Sequence, residues 1–322
     1  MISVILPVYN GQSSLRDAIK SVCHQEEANF ELIVIDDGST DKSVQIVQQF
    51  ADKYPIAFVQ NETNLGLFQT LNKGIQLAKG SFIKLWAQDD IMMPTCLREF
   101  EKAAMQHPEA SFVWCQSTAI TTGDRLEELT WRPPEGPVEF EPWSLEKCLQ
   151  HFFYCGNLHG NISLLGFSKS IVNQVHEFGA FTYSGDIEFT VRALTHGTPL
   201  CIPEELVWLR NHPLQLSKSL DHLHFECKET LQVFRMLKRE NHALLEKNIA
   251  LRRFATRCLQ ERIALYHLAN ARTLLLRGKV CSSMTVVWTI IGNISPLGIL
   301  HSLLRRASSK PPVALNDFSP LA

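Results

Sequence analysis

Short apolar, β-branched runs that end in polar or acidic residues recur along the front of the chain, and they restrict the fold more than any other feature. Ser3-Val4-Ile5-Leu6-Pro7-Val8 leads into Tyr9-Asn10. Glu31-Leu32-Ile33-Val34-Ile35 leads into Asp36-Asp37-Gly38-Ser39, and Phe82-Ile83-Lys84-Leu85-Trp86 into Gln88-Asp89-Asp90. Runs of this length read as buried strands, and Ala57-Phe58-Val59 reads as another. Helical stripes separate them: Leu15, Ala18, Ile19 and Val22; Val44, Val47 and Phe50; Leu67, Leu71, Ile75 and Ala78. Ser14 with Asp17 suggests a capping box, and Gly80 a helix C′ residue. Strand and helix in alternation predict an α/β fold with a mostly parallel sheet flanked by helices. Ligands of such sheets bind at the carboxyl ends of the strands, which is where the polar residues fall.

Further along, the spacing predicts a helix near 146–154, a strand near 162–167, a helix after Asp186 and a strand at Leu206-Val207-Trp208-Leu209. Residues 123–142 are rich in Pro, Gly and Glu and read as a long loop or insertion. From 221 to 278 the pattern is helical and free of proline. The predicted domains are 1–220, with halves 1–95 and 96–220, and a helical extension over 221–322.

Composition excludes several classes. With 45% hydrophobic and 20% charged residues, the chain of 322 residues is neither disordered nor fibrous. Nine cysteines without a CxxC pair suit neither a disulfide framework nor a zinc site, and read as inert thiols in a reducing compartment. Met1-Ile2-Ser3-Val4 enters a strand directly, with no basic leader, so a cytoplasmic location is expected. The net charge of −2 is uneven: residues 221–310 carry 15 Lys/Arg against 6 Asp/Glu. Such a basic region suits nucleic acid or an anionic membrane, and no nucleic-acid module accompanies it. Residues 280–304 contain no charged side chain. Ser282, Ser283, Asn293, Ser295, Pro296, Gly298 and His301 interrupt that stretch, so it is expected to lie on the protein or on a membrane surface rather than to span.

Each candidate site has a structural alternative. Asp36-Asp37-Gly38-Ser39 can be a turn with Ser39 or Thr40 capping the next helix, or carboxylates for a nucleotide base or ribose. Asp89-Asp90 can be a solvated loop or can hold a hard cation on a diphosphate. Asp186 can cap a helix or act as a general base. Arg210-Asn211-His212 leaves a strand end in a way that suits diphosphate or metal contact. After the first strand there is no G-x-G-x-x-G and no P-loop, which speaks against dinucleotide or P-loop binding.

Taken together these segments resemble family 2 glycosyltransferases, the inverting group with a GT-A-type fold. The matching text is Ser3-Val4-Ile5-Leu6-Pro7-Val8-Tyr9-Asn10, Val34-Ile35-Asp36-Asp37-Gly38-Ser39-Thr40-Asp41, Asn64-Leu65-Gly66, Leu71-Asn72-Lys73-Gly74 and Ala78-Lys79-Gly80, then Asp89-Asp90. The match is specific over 1–95 and thinner through Ser184 to Ser217. The resemblance implies that Pro7, Tyr9, Asp36 and Asp37 line a base and ribose pocket bordered by Asn64 and Gly66. It implies that Asp89 or Asp90 holds a divalent cation, Mg or Mn, with His212 at the metal or diphosphate, and that Asp186 is the base. One departure stands out: Ala87 replaces the leading acid of the family's Asp-x-Asp-Asp. The expected partners are a nucleotide-diphosphate sugar and a saccharide or lipid-linked glycan acceptor, in cell-surface polysaccharide synthesis, with peripheral attachment to the inner face of the membrane. The competing reading is a non-catalytic sugar-nucleotide binder on the same fold.

Overall fold

The computed structural model describes residues 1–121, 136, 138–155, 157–213, 215, 218–258 and 264–293. Most of the insertion expected at 123–142, and residues 294–304 of the uncharged stretch, lie outside them. The chain divides into two compact units, Met1–Lys218 and Ser219–Ala322.

In the first unit the front half alternates strictly: β1 (Ile2–Val8), α1 (Leu15–Cys23), β2 (Phe30–Asp36), α2 (Ser43–Ala51), β3 (Ile56–Gln60), α3 (Leu67–Leu77) and β4 (Phe82–Leu85). Then come β5 (Ile91–Met92), α4 (Cys96–Gln106), β6 (Ala110–Thr121), β7 (Glu141–Pro142) and α5 (Leu145–Cys155). A 3-10 turn (Ile162–Leu164) precedes β8 (Leu165–Ser168), α6 (Lys169–Val175), α7 (Gly185–Ala193) and β9 (Thr198–Asn211). The sheet runs β3-β2-β1-β4-β8-β6-β9-β5, with β7 on β9. It is parallel from β3 to β4, and antiparallel pairs enter at β8.

β1 is buried along its whole length, which requires helices on both faces. Ile2, Val4, Leu6 and Val8 share a core with Leu15 and Ile19 of α1, Val47 of α2 and Phe100 of α4. The opposite face takes α3, where a Cβ on Gly74 would collide with Ile5 and lie 3.0 Å from Ile35 Cδ1. Only glycine lets α3 approach the sheet that closely.

Several local expectations differ from the structure. The Ser14 side chain makes no cap bond. Asp17 points instead to Arg210, 3.3 Å away. Gly80 is not a left-handed C′ residue; α3 ends at Leu77 with Ala78 as its C-cap, and a Cβ on Gly80 would lie 2.7 Å from Met1 O. The strand expected from Ile162 starts three residues later, after the 3-10 turn. β9 extends well beyond the expected Leu206–209 segment because it runs in parallel along β6.

The second unit is helical: α8 (Leu220–Glu240), α9 (His242–Lys247), α10 (Ile249–Cys258), α11 (Ala264–Leu276) and α12 (Val280–Asn293). α8 packs on α11 and α12. No helix among the described residues is long and apolar enough to cross a membrane.

Candidate active site

β1 and β2 end side by side, with Pro7 opposite Ile35 and Val8 opposite Asp36. Pro7 is buried one residue before the end of β1. The two loops that leave these ends hold each other. The Asn10 N–H donates to Ser39 Oγ and the Thr40 N–H to Asn10 Oδ1, both at 2.9 Å. Ser39, a possible helix cap by sequence, is thus committed to Asn10. Lys42 stands at the N-cap of α2, and Asp41, one residue before it, accepts from the Ser43 N–H at 2.9 Å.

The two adjacent acids of β2's end behave differently. Asp37 is buried and fully engaged. Its Oδ1 accepts from Asn61 Nδ2 (2.8 Å) and the Leu65 N–H (2.9 Å), and its Oδ2 from the Gly66 N–H (2.9 Å). The carboxylate therefore sits at the N-terminus of α3, where the helix dipole favours it. Lys73 donates to Asn61 Oδ1 at 2.7 Å and completes the clamp. Asn64 is exposed, and its Oδ1 accepts from the Gly66 N–H at 3.0 Å. Gly38 is left-handed (φ 76°), and a Cβ there would lie 3.0 Å from Asn64 N. Asp36 is also buried, and its Oδ2 accepts from the Ser39 N–H at 3.1 Å. Its Oδ1 is buried without a hydrogen bond. An unpaired buried acceptor at a strand end is costly unless a ligand donates to it.

Gln88 ties this pocket to the end of β4. Its amide accepts from the Tyr9 N–H (2.9 Å) and donates to Tyr9 O (3.0 Å), leaving the Tyr9 ring exposed. Asp90 is buried, and both of its oxygens are occupied: Oδ2 by the Ser163 hydroxyl at 2.6 Å and Oδ1 by the Arg210 N–H at 3.0 Å. Burial, followed by the charge of Asp89, pushes Asp90 up to about 7. Ser163 Oγ also accepts from the Ala87 N–H at 3.0 Å. Below them Lys84 is fully buried, its ammonium donating to the Leu85, Ser163 and Leu165 carbonyls, and burial pushes its pKa down. The Arg210 guanidinium, a diphosphate candidate by sequence, is spent on Asp89 O (3.1 Å) and Asp17 (3.3 Å).

Asp89 is the more accessible acid. Its Oδ2 lies 2.9 Å from His212 Nε2. Among the described residues no three His, Cys, Asp or Glu side chains converge. A hard cation on a diphosphate needs few protein ligands, because phosphates and waters fill the remaining positions. Asp89 with His212 fits that requirement; Asp90 lies buried beside it, with one hydrogen bond on each oxygen.

Asp186 is buried in the first turn of α7. His159 Nε2 lies 4.0 Å from Asp186 Oδ2. The imidazole is fully enclosed, with Nδ1 3.2 Å from Asn161 O and Nε2 without a hydrogen bond. Residues 159–163 thus touch both acids: His159 faces Asp186 and Ser163 holds Asp90. α7 is fixed against α3 by Phe178, which packs on Phe68 and Phe189, and by the Asn72 amide, which clasps both backbone groups of Phe178 at 2.9 and 3.0 Å. Gln88, Asn61, Ser163 and His159 carry no motif of their own, and reading the sequence alone misses them. Only the polar run around Asn157, His159 and Asn161 signals the last two.

The family model for glycosyl transferase family 2 matches residues 3–172. The chain belongs to this family. An uncharacterized glycosyltransferase of Haemophilus influenzae is 25% identical over 69% of this chain and 72% of its own length. The cholesterol galactosyltransferase of Borreliella burgdorferi is 34% identical over 30% of this chain and 27% of its own length. Among solved structures, Staphylococcus aureus TarS 1-349 with UDP-GlcNAc matches 98% of this chain and 94% of that one, at TM-score 0.58 and 16% identity. The mannosyltransferase PcManGT of Pyrobaculum calidifontis, in complex with GDP-Man and Mn2+, covers 95% and 87%, at TM-score 0.54 and 14% identity. This family 2 glycosyltransferase therefore has a GT-A-type fold and is an enzyme of glycosyl transfer.

Proposed function

We propose that the enzyme moves a sugar from a nucleotide-diphosphate sugar to an acceptor hydroxyl with inversion at the anomeric carbon. The observation that carries this reading is the 159–163 segment, which lies against both Asp186 of α7 and Asp90 after β4. The nucleotide lies over the ends of β1 and β2, between Pro7, Tyr9 and the 64–66 loop. The unpaired Asp36 Oδ1 accepts from a base N–H or a ribose hydroxyl. Asp37 acts indirectly, by holding the Leu65 and Gly66 backbone in place.

Asp89 and His212 would hold a divalent cation, and Asp90 would brace them from below. The cation would neutralise charge on the departing diphosphate. Asp186 takes the proton of the acceptor hydroxyl. The acceptor oxygen bonds to the anomeric carbon as the bond from that carbon to the diphosphate breaks, and the electron pair leaves with the nucleoside diphosphate. A lipid-linked or saccharide acceptor of the cell surface accords with the relative named for galactosyl transfer to a sterol, and with peripheral attachment through the C-terminal unit.

The test is Asp186→Asn. Transfer should fall about 10²–10⁴-fold, the usual worth of a general base, while the donor dissociation constant stays unchanged. Chelation by EDTA, or Asp89→Ala, should weaken donor binding. Near-normal transfer by folded Asp186→Asn would sink the assignment of the base, and indifference of donor binding to EDTA would sink that of the cation.

A further inference from the structure

α11 and α12 form a hairpin with one face more apolar than an ordinary surface helix presents. The turn at 277–279 is built on left-handed Gly278 (φ 75°), with the Lys279 N–H donating to Leu274 O at 2.9 Å. Ser283 Oγ donates to Ala271 O at 2.7 Å and pins the two helices. Ser283, Val286 and Ile290 are the buried face of α12. A second stripe, Val280, Met284, Trp288 and Ile291, recurs at helical spacing and is exposed, Trp288 to 65%. Leu275 and Leu276 extend it around the turn, Leu276 at 75% exposure.

Two further observations say what covers this stripe. The first is polarity. α12 contains no Asp, Glu, Lys or Arg, and its Thr285 and Thr289 hydroxyls donate to the carbonyls one turn back, at 2.9 and 2.8 Å. Their donors thus need no water, the condition a helix meets in an apolar medium. The second is charge. Between Glu261 and Asp317 the sequence has no carboxylate and seven Lys/Arg. Arg272, Arg277 and Lys279, beside the stripe, are exposed and form no salt bridge among the described residues. An isologous contact with a second copy would set these cations near their own equivalents. An anionic lipid surface complements them.

We propose that the Val280–Met284–Trp288–Ile291 face is a membrane-docking surface. α12 lies in the plane of an anionic leaflet, its stripe at the boundary between headgroups and acyl chains and its flanking cations on lipid phosphates. The described part of α12, 14 residues, is about 21 Å long, against a hydrocarbon core of about 30 Å. Tryptophan at the interface is the expected anchor. This rests on the peripheral attachment proposed above and names the surface that makes it.

The full chain is floated with vesicles of phosphatidylcholine alone and of phosphatidylcholine mixed with phosphatidylglycerol. It should bind the anionic vesicles, and less well as salt rises. Trp288→Glu and Met284→Glu should each weaken binding about tenfold or more, while Trp288→Phe retains it and all three keep the helical circular dichroism of the parent. Wild-type binding by both Glu variants would overturn the assigned face while leaving membrane attachment standing. No binding to anionic vesicles at low salt would overturn both. A dimer that Trp288→Glu splits, with no vesicle binding, would assign the face to a second copy and overturn the proposal. Hydrolysis of a sugar nucleotide by the same preparations reports on the catalytic reading separately.

Discussion

Asp90 follows β4 with its carboxylate in the protein interior, where ionisation is opposed by burial and then by Asp89, and favoured by Ser163, the Arg210 N–H and buried Lys84. The balance lifts it to about 7. The unfolded chain releases this proton near pH 4, and the folded protein keeps it until about 7. Across that window the folded state binds more protons than the unfolded state. The group's contribution to stability is therefore greatest below the window and is lost as pH rises through it. Without divalent cation, Asp90→Asn should flatten this slope, by at most about 1.4 kcal/mol per pH unit. Urea unfolding at pH 5 and pH 7 checks it. An unchanged slope in the variant would place its source elsewhere. The same surroundings make Asp89 the acid that meets solvent, a distinction that two adjacent aspartates in a sequence do not disclose.

α3 illustrates how much an element can hide in a family motif. Leu71-Asn72-Lys73-Gly74 resembles family text, and each polar or small residue in it has a mechanical role. Asn72 clasps Phe178, Lys73 holds Asn61, and Gly74 admits the helix to the sheet. Asn72→Ala removes two buried hydrogen bonds and leaves the Phe178 backbone groups unpaired. It should cost about 2–3 kcal/mol and lower transfer by loosening α7, which carries Asp186. Denaturant midpoints together with kinetics measure both, and a loss of stability well under 1 kcal/mol would show that the clasp is incidental. Local periodicity predicts β1 to β4 and α1 to α3, because each buries a stripe visible within a few residues. It does not reveal β6. That strand's partner β9 lies some ninety residues on, and their register shifts at Ala110/Val113, Cys115/Gln116 and Gln116/Ser117. His159 and Ser163 are opaque for the same reason: their roles exist only once α7 and β4 arrive beside them.

At the scale of the molecule, the chain is two compact units, and the proposed donor site lies wholly within Met1–Lys218. Heating should therefore give two transitions, and donor with Mn2+ should raise only one of them. At a hundred times its dissociation constant a donor adds about 2.7 kcal/mol. Scanning calorimetry with and without a UDP- or GDP-sugar checks this. A single transition, or an equal shift of both, would mean that the units unfold as one.

The Asp37 clamp has a consequence for how such an enzyme could change its taste in nucleotides. The carboxylate grips the backbone at Leu65 and Gly66, so the course of this loop is set mainly by a buried acid at the end of β2, with one bond added by the Asn64 side chain to the Gly66 N–H. Glu62 and Thr63 ride on that frame with their side chains in solvent. They can be exchanged without re-drawing the path beneath them. Lengthening or shortening the loop would pull the two amides off the carboxylate and strand a charge in the interior. If the nucleotide lies where we propose, variation in base preference is thus channelled into substitution at these two adjacent positions, like type changed in a fixed press.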